Sequence, residues 1–291
     1  MSLFDQREEF LFLYDVTMAN PNGDPNDENK PRLDQGSGRN LVTDVRLKRT
    51  IRDHLFDAMG HHGGGDRDIF VRQTESKKTA GGLQDGKART KDFDEDRDTI
   101  LKRCIDIRLF GGVLPMDKNS FKFTGPVQIK MGQSLHRVEI MELRGTGAFA
   151  SKDGAKQNTF REEAVVPYSL IAFYGVINEN AARHTGLTRD DVDQFYTAMW
   201  DGTKNLLSRS KMGHMPRLLL RLRYKTPNFF LGDLDHLVQF DLNPGEKVLR
   251  RIDQGTLNLS GISAALARHN DHLADFELRA DDRVKVTGWN R

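Results

Sequence analysis

The sequence predicts an α+β protein built on a β-α-β-β-α-β core, the ferredoxin-like pattern, carrying two insertions and a C-terminal extension. Three observations lead there. Residues 9–18 alternate as a strand does, residues 43–58 repeat apolar side chains at helical spacing, and residues 217–224 set leucines against arginines. With 291 residues, 37% of them hydrophobic, the chain is long enough for one large elaborated domain or a core with a smaller companion.

In the first strand Phe10, Phe12, Tyr14 and Val16 share one face, and Leu11 and Leu13 lie on the other. Apolar side chains on both faces predict a central strand. It ends at Asn20-Pro21-Asn22-Gly23-Asp24-Pro25, a dense turn signal, and a polar loop runs on to about Asn40. Thr43 or Asp44 can cap the following helix, which gathers Leu47, Ile51 and Ala58 on one face. Arg46, Lys48, Arg49 and Arg52 sweep across the opposite side. Residues 59–98 cluster glycine at 63–65 and 81–82, which predicts an insertion or loop region outside the core. Residues 96–109 read as helix and stop at Gly111-Gly112, and residues 121–131 read as strand. Residues 136–163 are mixed, with Gly145-Thr146-Gly147 among them. Residues 164–177 are a nearly continuous apolar run, a buried strand. Thr188 starts a helix with Asp190 and Asp191 in its first turn. In the last strand Leu218, Leu220, Leu222 and Tyr224 face one way, and Arg217, Arg221 and Arg223 the other.

Such a sheet carries its helices on one face and leaves the second open. RNA-recognition motifs bind RNA on that open face, where the arginines of the last strand would meet phosphate. The aromatic signature of a simple RNA-recognition motif is missing. Net charge is only +2, but it is segregated. Residues 203–225 hold Lys204, Arg209, Lys211, Arg217, Arg221, Arg223 and Lys225 with no acid. No apolar run approaches the ~18 residues of a membrane span, and acids and Arg7 precede any apolar stretch, so neither a membrane partner nor a secretory signal is expected. A single cysteine, Cys104, excludes an internal disulfide and a thiolate zinc cluster. A cytoplasmic protein is expected.

Catalytic patterns are thin. His61-His62 lacks the spacing that aims two ligands from a helix at one metal, and Cys104 reads as a small core hydrophobe. Asp24, Asp27 and Asp34 miss the EF-hand spacing and read as turn formers. Walker A, dinucleotide-binding and nucleophile-elbow patterns are absent. Binding is better supported. The Asn- and Gly-rich loop leads to the N-terminus of a basic helix, where backbone N–H groups suit an anion. Met141 and Phe149, apolar points in a long polar segment, suit wedging between bases.

The same residues resemble a known family. Phe12–Asp15, Asn20–Pro25, Pro31-Arg32 and the run from Leu41 to Arg52 are similar to the opening of the Cas-seven proteins, the crRNA-binding backbone subunits of type I CRISPR Cascade complexes. The likeness continues through Asp106–Gly112, Thr124–Gln128, Gly145–Phe149 and Val166–Tyr168, and covers roughly residues 8–225, with the middle blocks nearer subtype I-B than I-C. The resemblance implies a modified RNA-recognition palm (1–58, 119–131 and 164–225), a fingers insertion (59–118), a protruding thumb hairpin (132–163) and an extension (226–291) packed on the palm. It implies a helical filament of head-to-tail copies along one guide RNA, which pairs with target DNA in antiviral defence. Other Cascade subunits (the Cas-five, Cas-six and large-subunit types) and a recruited helicase-nuclease are the further partners. RNA contacts are expected from Asn20, Asn22, Gly23, Arg39, Thr43, Arg46, Lys48, Arg49 and Arg52, and in the thumb from Arg137, Met141, Phe149, Lys152 and Arg161. No catalytic residue, metal or cofactor is expected. The rival expectation is a metal-dependent ribonuclease like the type III relatives, using Asp24 or Asp27.

Overall fold

The computed structural model describes residues 2–116, 120–150 and 158–290. The chain begins with β1 (Arg7–Ala19), then β2 (Gly23–Asp24), β3 (Lys30–Pro31), β4 (Leu33–Asp34) and β5 (Arg39–Val42) before helix α1 (Asp44–Ala58). Three short helices follow: α2 (Gly86–Lys91), α3 (Arg97–Arg103) and α4 (Ile105–Phe110). Next come β6 (Gly111–Pro115), β7 (Ser120–Thr124), β8 (Val127–Ile129), β9 (Gly132–Arg137), β10 (Met141–Ala150) and β11 (Asn158–Ile177). Helices α5 (Glu179–Thr185) and α6 (Arg189–Lys204) lead to β12 (His214–Tyr224). The C-terminal part holds β13 (Gln239–Leu242), β14 (Gly255–Asn258), α7 (Ser260–Arg268), β15 (Leu273–Ala280) and β16 (Val286–Thr287).

The architecture is mixed α+β around one large antiparallel sheet, ordered β15-β12-β1-β11-β9-β5-β4, with β8 and β10 also paired to β11. As its two-sided apolar pattern predicts, β1 is central, pairing Phe12 with Phe173 of β11 and with Leu219 of β12. On one face Phe10, Phe12, Tyr14, Ile171 and Phe173 pack against Leu47, Ile51 and Leu55 of α1 and Phe195 and Met199 of α6. Thr43 caps α1, and Thr188 and Asp191 form a reciprocal capping box on α6, which fixes where both helices start.

The second face is not open. Leu11, Leu13, Tyr168, Leu170, Leu218, Leu220 and Leu222 are covered by Leu234, Val238, Leu257, Ile262 and Leu266 of the C-terminal part. The physical reason is area: a row of fully buried leucines loses ~2–5 kcal/mol each if truncated, so that face cannot stay wet. A buried carboxylate fastens the cover. Glu9 accepts hydrogen bonds from Tyr174 Oη and Tyr224 Oη and from the Leu231 and Gly232 amides at 2.7 and 2.8 Å.

Residues 59–98, expected to lie outside any core, contribute to two. Ile69 joins the main core, and Phe70 and Phe93 pack with Ile100, Cys104, Ile107, Leu114 and Phe123. Arg89 ties this segment down, donating to Asp68 at 2.7 Å and to the Ile69 carbonyl at 3.0 Å. Cys104 is a buried core side chain, its thiol pushed up by burial, and it interrupts the expected helix 96–109 by taking extended backbone between α3 and α4. The helix stops at Gly111, where φ is +65° and a Cβ would lie 2.3 Å from the Phe123 carbonyl oxygen. The strand expected over 121–131 is two: β7 pairs with β6 in a hairpin, and after Gly125-Pro126 β8 joins β11. Residues 132–137 form β9 within the main sheet. Beyond it β10 pairs with the N-terminal half of β11, from Met141 opposite Val165 to Ala150 opposite Asn158, making a two-stranded ribbon.

Candidate nucleic-acid interface

The first loop is built from side chains that fold back on its own backbone. Asn20 is buried, and its Nδ2 donates to the Asn29 carbonyl at 2.7 Å. Gly23 lies so close to Asn29 that a Cβ would clash at 2.0 Å. Asn22 Oδ1 accepts from both the amide and the hydroxyl of Thr43, each at 2.9 Å. The loop is thereby tied to the first turn of α1. Asp24 pairs with Arg32 at 3.0 Å and accepts from the Asn26 amide, while Asp34 accepts from the Gly36 and Ser37 amides. Both carboxylates act as turn formers. Among the described residues the metal-type grouping is elsewhere, at Asp233, Asp235 and His236, where Lys130 Nζ already sits 3.2 Å from Asp233 and 3.0 Å from Asp235.

The basic helix divides into two sets. Lys48 pairs with Asp44 at 2.9 Å, and its ammonium lies 5.6 Å from the Phe110 ring centre. Arg52 pairs at 2.9 Å with Asp106, which is fully buried, and its guanidinium lies 5.0 Å from the same ring. Angular spacing alone aims these two outward. Helix α4 packs beside them and supplies both the acid and the aromatic ring, so their charges are used internally. Arg49 pairs with Asp53 and is half-buried. Arg46 differs: its Nη2 donates to Thr50 Oγ1 at 3.0 Å, and no carboxylate partners it among the described residues.

Next to Arg46 lies a residue that motif reading did not assign. Lys211 Nζ donates to the Asn20 and Pro21 carbonyls, the latter at 3.1 Å. Burial, with the Arg46 charge second, pushes its pKa down to about 8. Burial likewise pushes His214 down to about 4. The signal for Lys211 was the acid-free run 203–225, but that run is not uniform. Arg217 is buried against Asp15 and Asp281, both at 2.8 Å, and Arg221 against Glu8, Asp193 and Glu277. Arg223 pairs with Asp275 at 3.0 Å. The arginine face of β12 therefore meets acids of β1 and β15, and the expectation that it meets phosphate does not hold.

A second unpaired cationic group sits where β5 meets β9. Arg39 stands opposite Arg137 in register, and neither has a carboxylate partner among the described residues. The Arg137 guanidinium lies over Gly38, which has φ +67° and leaves the room a side chain would fill. His136 beside them is held below its ordinary pKa by burial, and the Arg250 and Arg39 charges act the same way. On the ribbon, Met141 and Leu143 are exposed. Phe149 lies in β10 and Arg161 in β11, opposite Gly145, while Lys152 lies outside the described residues. Between the root of the ribbon and the loop at Asn20 and Asn29 is a cleft of about 450 Å³.

The sequence profile of a family described as CRISPR-associated protein Cas7 matches residues 6–260. A CRISPR-associated protein Cas7 of Haloferax volcanii is 30% identical over 309 residues, covering 96% of this chain and 88% of that protein. Two solved chains share the fold. One, from a CRISPR RNA-guided surveillance complex described as pre-nicking, superposes with a TM-score of 0.58 at 12% identity over 96% of this chain and 95% of that one. The other, from a CRISPR RNA-guided surveillance complex, gives 0.50 at 14% identity over 94% and 89%. By its profile match and its identity to the Haloferax protein, the chain belongs to the CRISPR-associated protein Cas7 family.

Proposed function

We propose that this chain is the crRNA-binding backbone subunit of a type I Cascade complex, of subtype I-B, that holds the guide and presents it to target DNA. The observation that carries the reading is a charge arrangement. Arg217, Arg221 and Arg52 are each tied to buried acids, yet Arg39, Arg137, Arg46 and Lys211 have no carboxylate partner among the described residues. Cations without counter-charge, half-buried at Arg39, Arg46 and Lys211 and exposed at Arg137, suit phosphodiesters, which bring the negative charge and carry no sequence information.

In this reading β1, α1, β8, β9, β11, α6 and β12 are an RNA-recognition-type palm, residues 59–118 the fingers and residues 226–291 an extension on the palm. The thumb is the β10–β11 ribbon. Its root is drawn at about residue 138 rather than 132, because β9 pairs inside the sheet. Asn20, Asn22, Gly23 and Thr43 shape the loop that presents Arg46. Arg39, Arg137 and Arg49 contact phosphate, and Met141, Phe149, Lys152 and Arg161 act from the thumb. Lys48 and Arg52 contribute only if their ion pairs open. Head-to-tail copies, the Cas-five, Cas-six and large-subunit types and a recruited helicase-nuclease complete the assembly, in the cytoplasm. No helix among the described residues is long and apolar enough to cross a membrane. The ribonuclease alternative is disfavoured because Asp24 is committed to Arg32 and its turn.

The test is co-purification. The chain expressed with the remaining Cascade subunits and a CRISPR array is expected to bring down RNA of one defined length in an elongated complex. RNA of random length, or Mg²⁺-dependent cleavage lost in Asp24→Ala, would overturn the proposal.

A further inference from the structure

We infer that the cleft at the root of the ribbon reads an uncharged hydrogen-bond donor of the bound RNA, with Asn20 Oδ1 as the accepting atom. This rests on the RNA-binding reading above and names what that site recognises besides charge.

Three observations converge. First, Asn20 is 6% exposed and lines the cleft, and its Oδ1, itself buried, has no hydrogen-bond partner among the described residues. The assignment of oxygen to that position is fixed by chemistry. The other terminal atom lies 2.7 Å from the Asn29 carbonyl oxygen, so it must be the donating nitrogen. A buried acceptor left unmatched is costly, whereas neighbouring Asn22 Oδ1 has two donors. Second, the cleft offers phosphate no unpaired cation among the described lining residues. Its lining carries Glu28, Glu142, Glu162 and Glu163 with the cations Lys30 and Arg144, and Arg209 pairs with Glu163. Those cations are already paired, Lys30 with Glu142 at 2.9 Å and Arg144 with Glu162 at 3.1 Å. Third, the cleft has an apolar surface in the half-exposed Leu143, and its volume of about 450 Å³ falls in the range of small-ligand sites.

A phosphodiester has no proton to donate at neutral pH, so the guide's backbone charge cannot satisfy Asn20. A nucleotide offers two groups that can: the ribose 2′-hydroxyl and the amino or imino N–H of a base. Both are neutral donors that a carboxylate-rimmed cleft favours. If the ribose supplies the donor, this cleft is where the chain tells RNA from DNA.

The experiment measures binding of the full-length chain to three single strands: oligoadenylate RNA, its 2′-deoxy counterpart, and the RNA in which purine riboside replaces adenosine and so lacks the amino group. Wild type is expected to bind oligoadenylate about tenfold more tightly than one of the other two. Loss with the deoxy strand assigns the ribose, and loss with the purine strand assigns the base. Asn20→Ala should erase that ratio. Leu143→Trp, which fills the cleft from the ribbon side without touching the Asn20–Asn29 bond, should erase it too, and decides the matter if Asn20→Ala fails to fold. Equal wild-type binding to all three strands, or a ratio that survives in both variants, overturns the inference alone. Absence of binding to any strand overturns the RNA-binding reading and this inference with it.

Discussion

Asn22 and Thr43, 21 residues apart, are joined by two hydrogen bonds of 2.9 Å to a single oxygen, Asn22 Oδ1. Thr43 Oγ1 in turn accepts from the Arg46 amide at 3.3 Å. The loop after the first strand and the N-terminus of the basic helix therefore move as one piece. What orders the loop also aims Arg46, the cation of α1 with no carboxylate partner among the described residues.

Asn22→Ala removes the oxygen that accepts both bonds and leaves the Thr43 amide without a partner. Stability is expected to fall by ~1–2 kcal/mol, the size of a lost helix cap. Asn22→Asp keeps an accepting oxygen there and should recover most of the loss. A urea midpoint unchanged in Asn22→Ala would show that the loop is not tied through this residue.

Arginines with and without acid partners should separate in two measurements. Arg39→Ala and Arg137→Ala are expected to leave the unfolding midpoint unchanged, while the log-log salt dependence of RNA binding flattens by ~0.7 for each phosphate that is no longer neutralised. Arg52→Ala breaks a pair with fully buried Asp106 and is expected to cost about 3 kcal/mol of stability. A normal midpoint with a flattened slope in Arg52→Ala would place that side chain on RNA instead.

Local chemistry was legible in the sequence, and distant pairing was not. Thr43 and Thr188 announce their helices because capping is settled within three residues, and β1 announces its central place because apolar side chains occupy both of its faces. Arg217 and Arg221 look like a phosphate-binding stripe because their neutralising acids, Asp15 and Glu8, lie some two hundred residues away on a strand whose position no local pattern states. The cover over the second sheet face is hidden for the same reason, since Glu9 meets the Leu231 and Gly232 amides only once the fold exists. Lys211 was visible as one of several cations in an acid-free run, but what sets it apart from Arg217, Arg221 and Arg223 is that those three are paired with acids.

His214 gives the fold a pH dependence with a definite sign. Burial lowers its pKa from 6.5 to about 4, with the Lys211 and Arg46 charges acting the same way. Between those values the unfolded chain takes up a proton that the folded chain does not. The contribution is thus complete above pH 6.5 and declines as pH falls, by about 3 kcal/mol on reaching the folded value. Unfolding measured across that window in wild type and His214→Phe should show a shallower acid-side decline in the variant. Parallel curves would mean that His214 titrates normally.

Lys211 links the same neighbourhood to ligand binding. Its pKa is lowered to about 8 by burial and by Arg46, so near that pH part of the free protein carries a neutral amine there. A phosphate brought beside Lys211 and Arg46 would favour the ammonium and raise the pKa. Binding RNA slightly above pH 8 is then expected to take up protons, and affinity should fall as pH rises further. Calorimetry in buffers of different ionisation enthalpy measures that uptake directly. Lys211→Arg, which keeps the charge at every accessible pH, should bind without it. RNA binding by wild type with no proton uptake in this range would show that the phosphate lies elsewhere, and would leave Arg39 and Arg137 as the cations that hold the backbone.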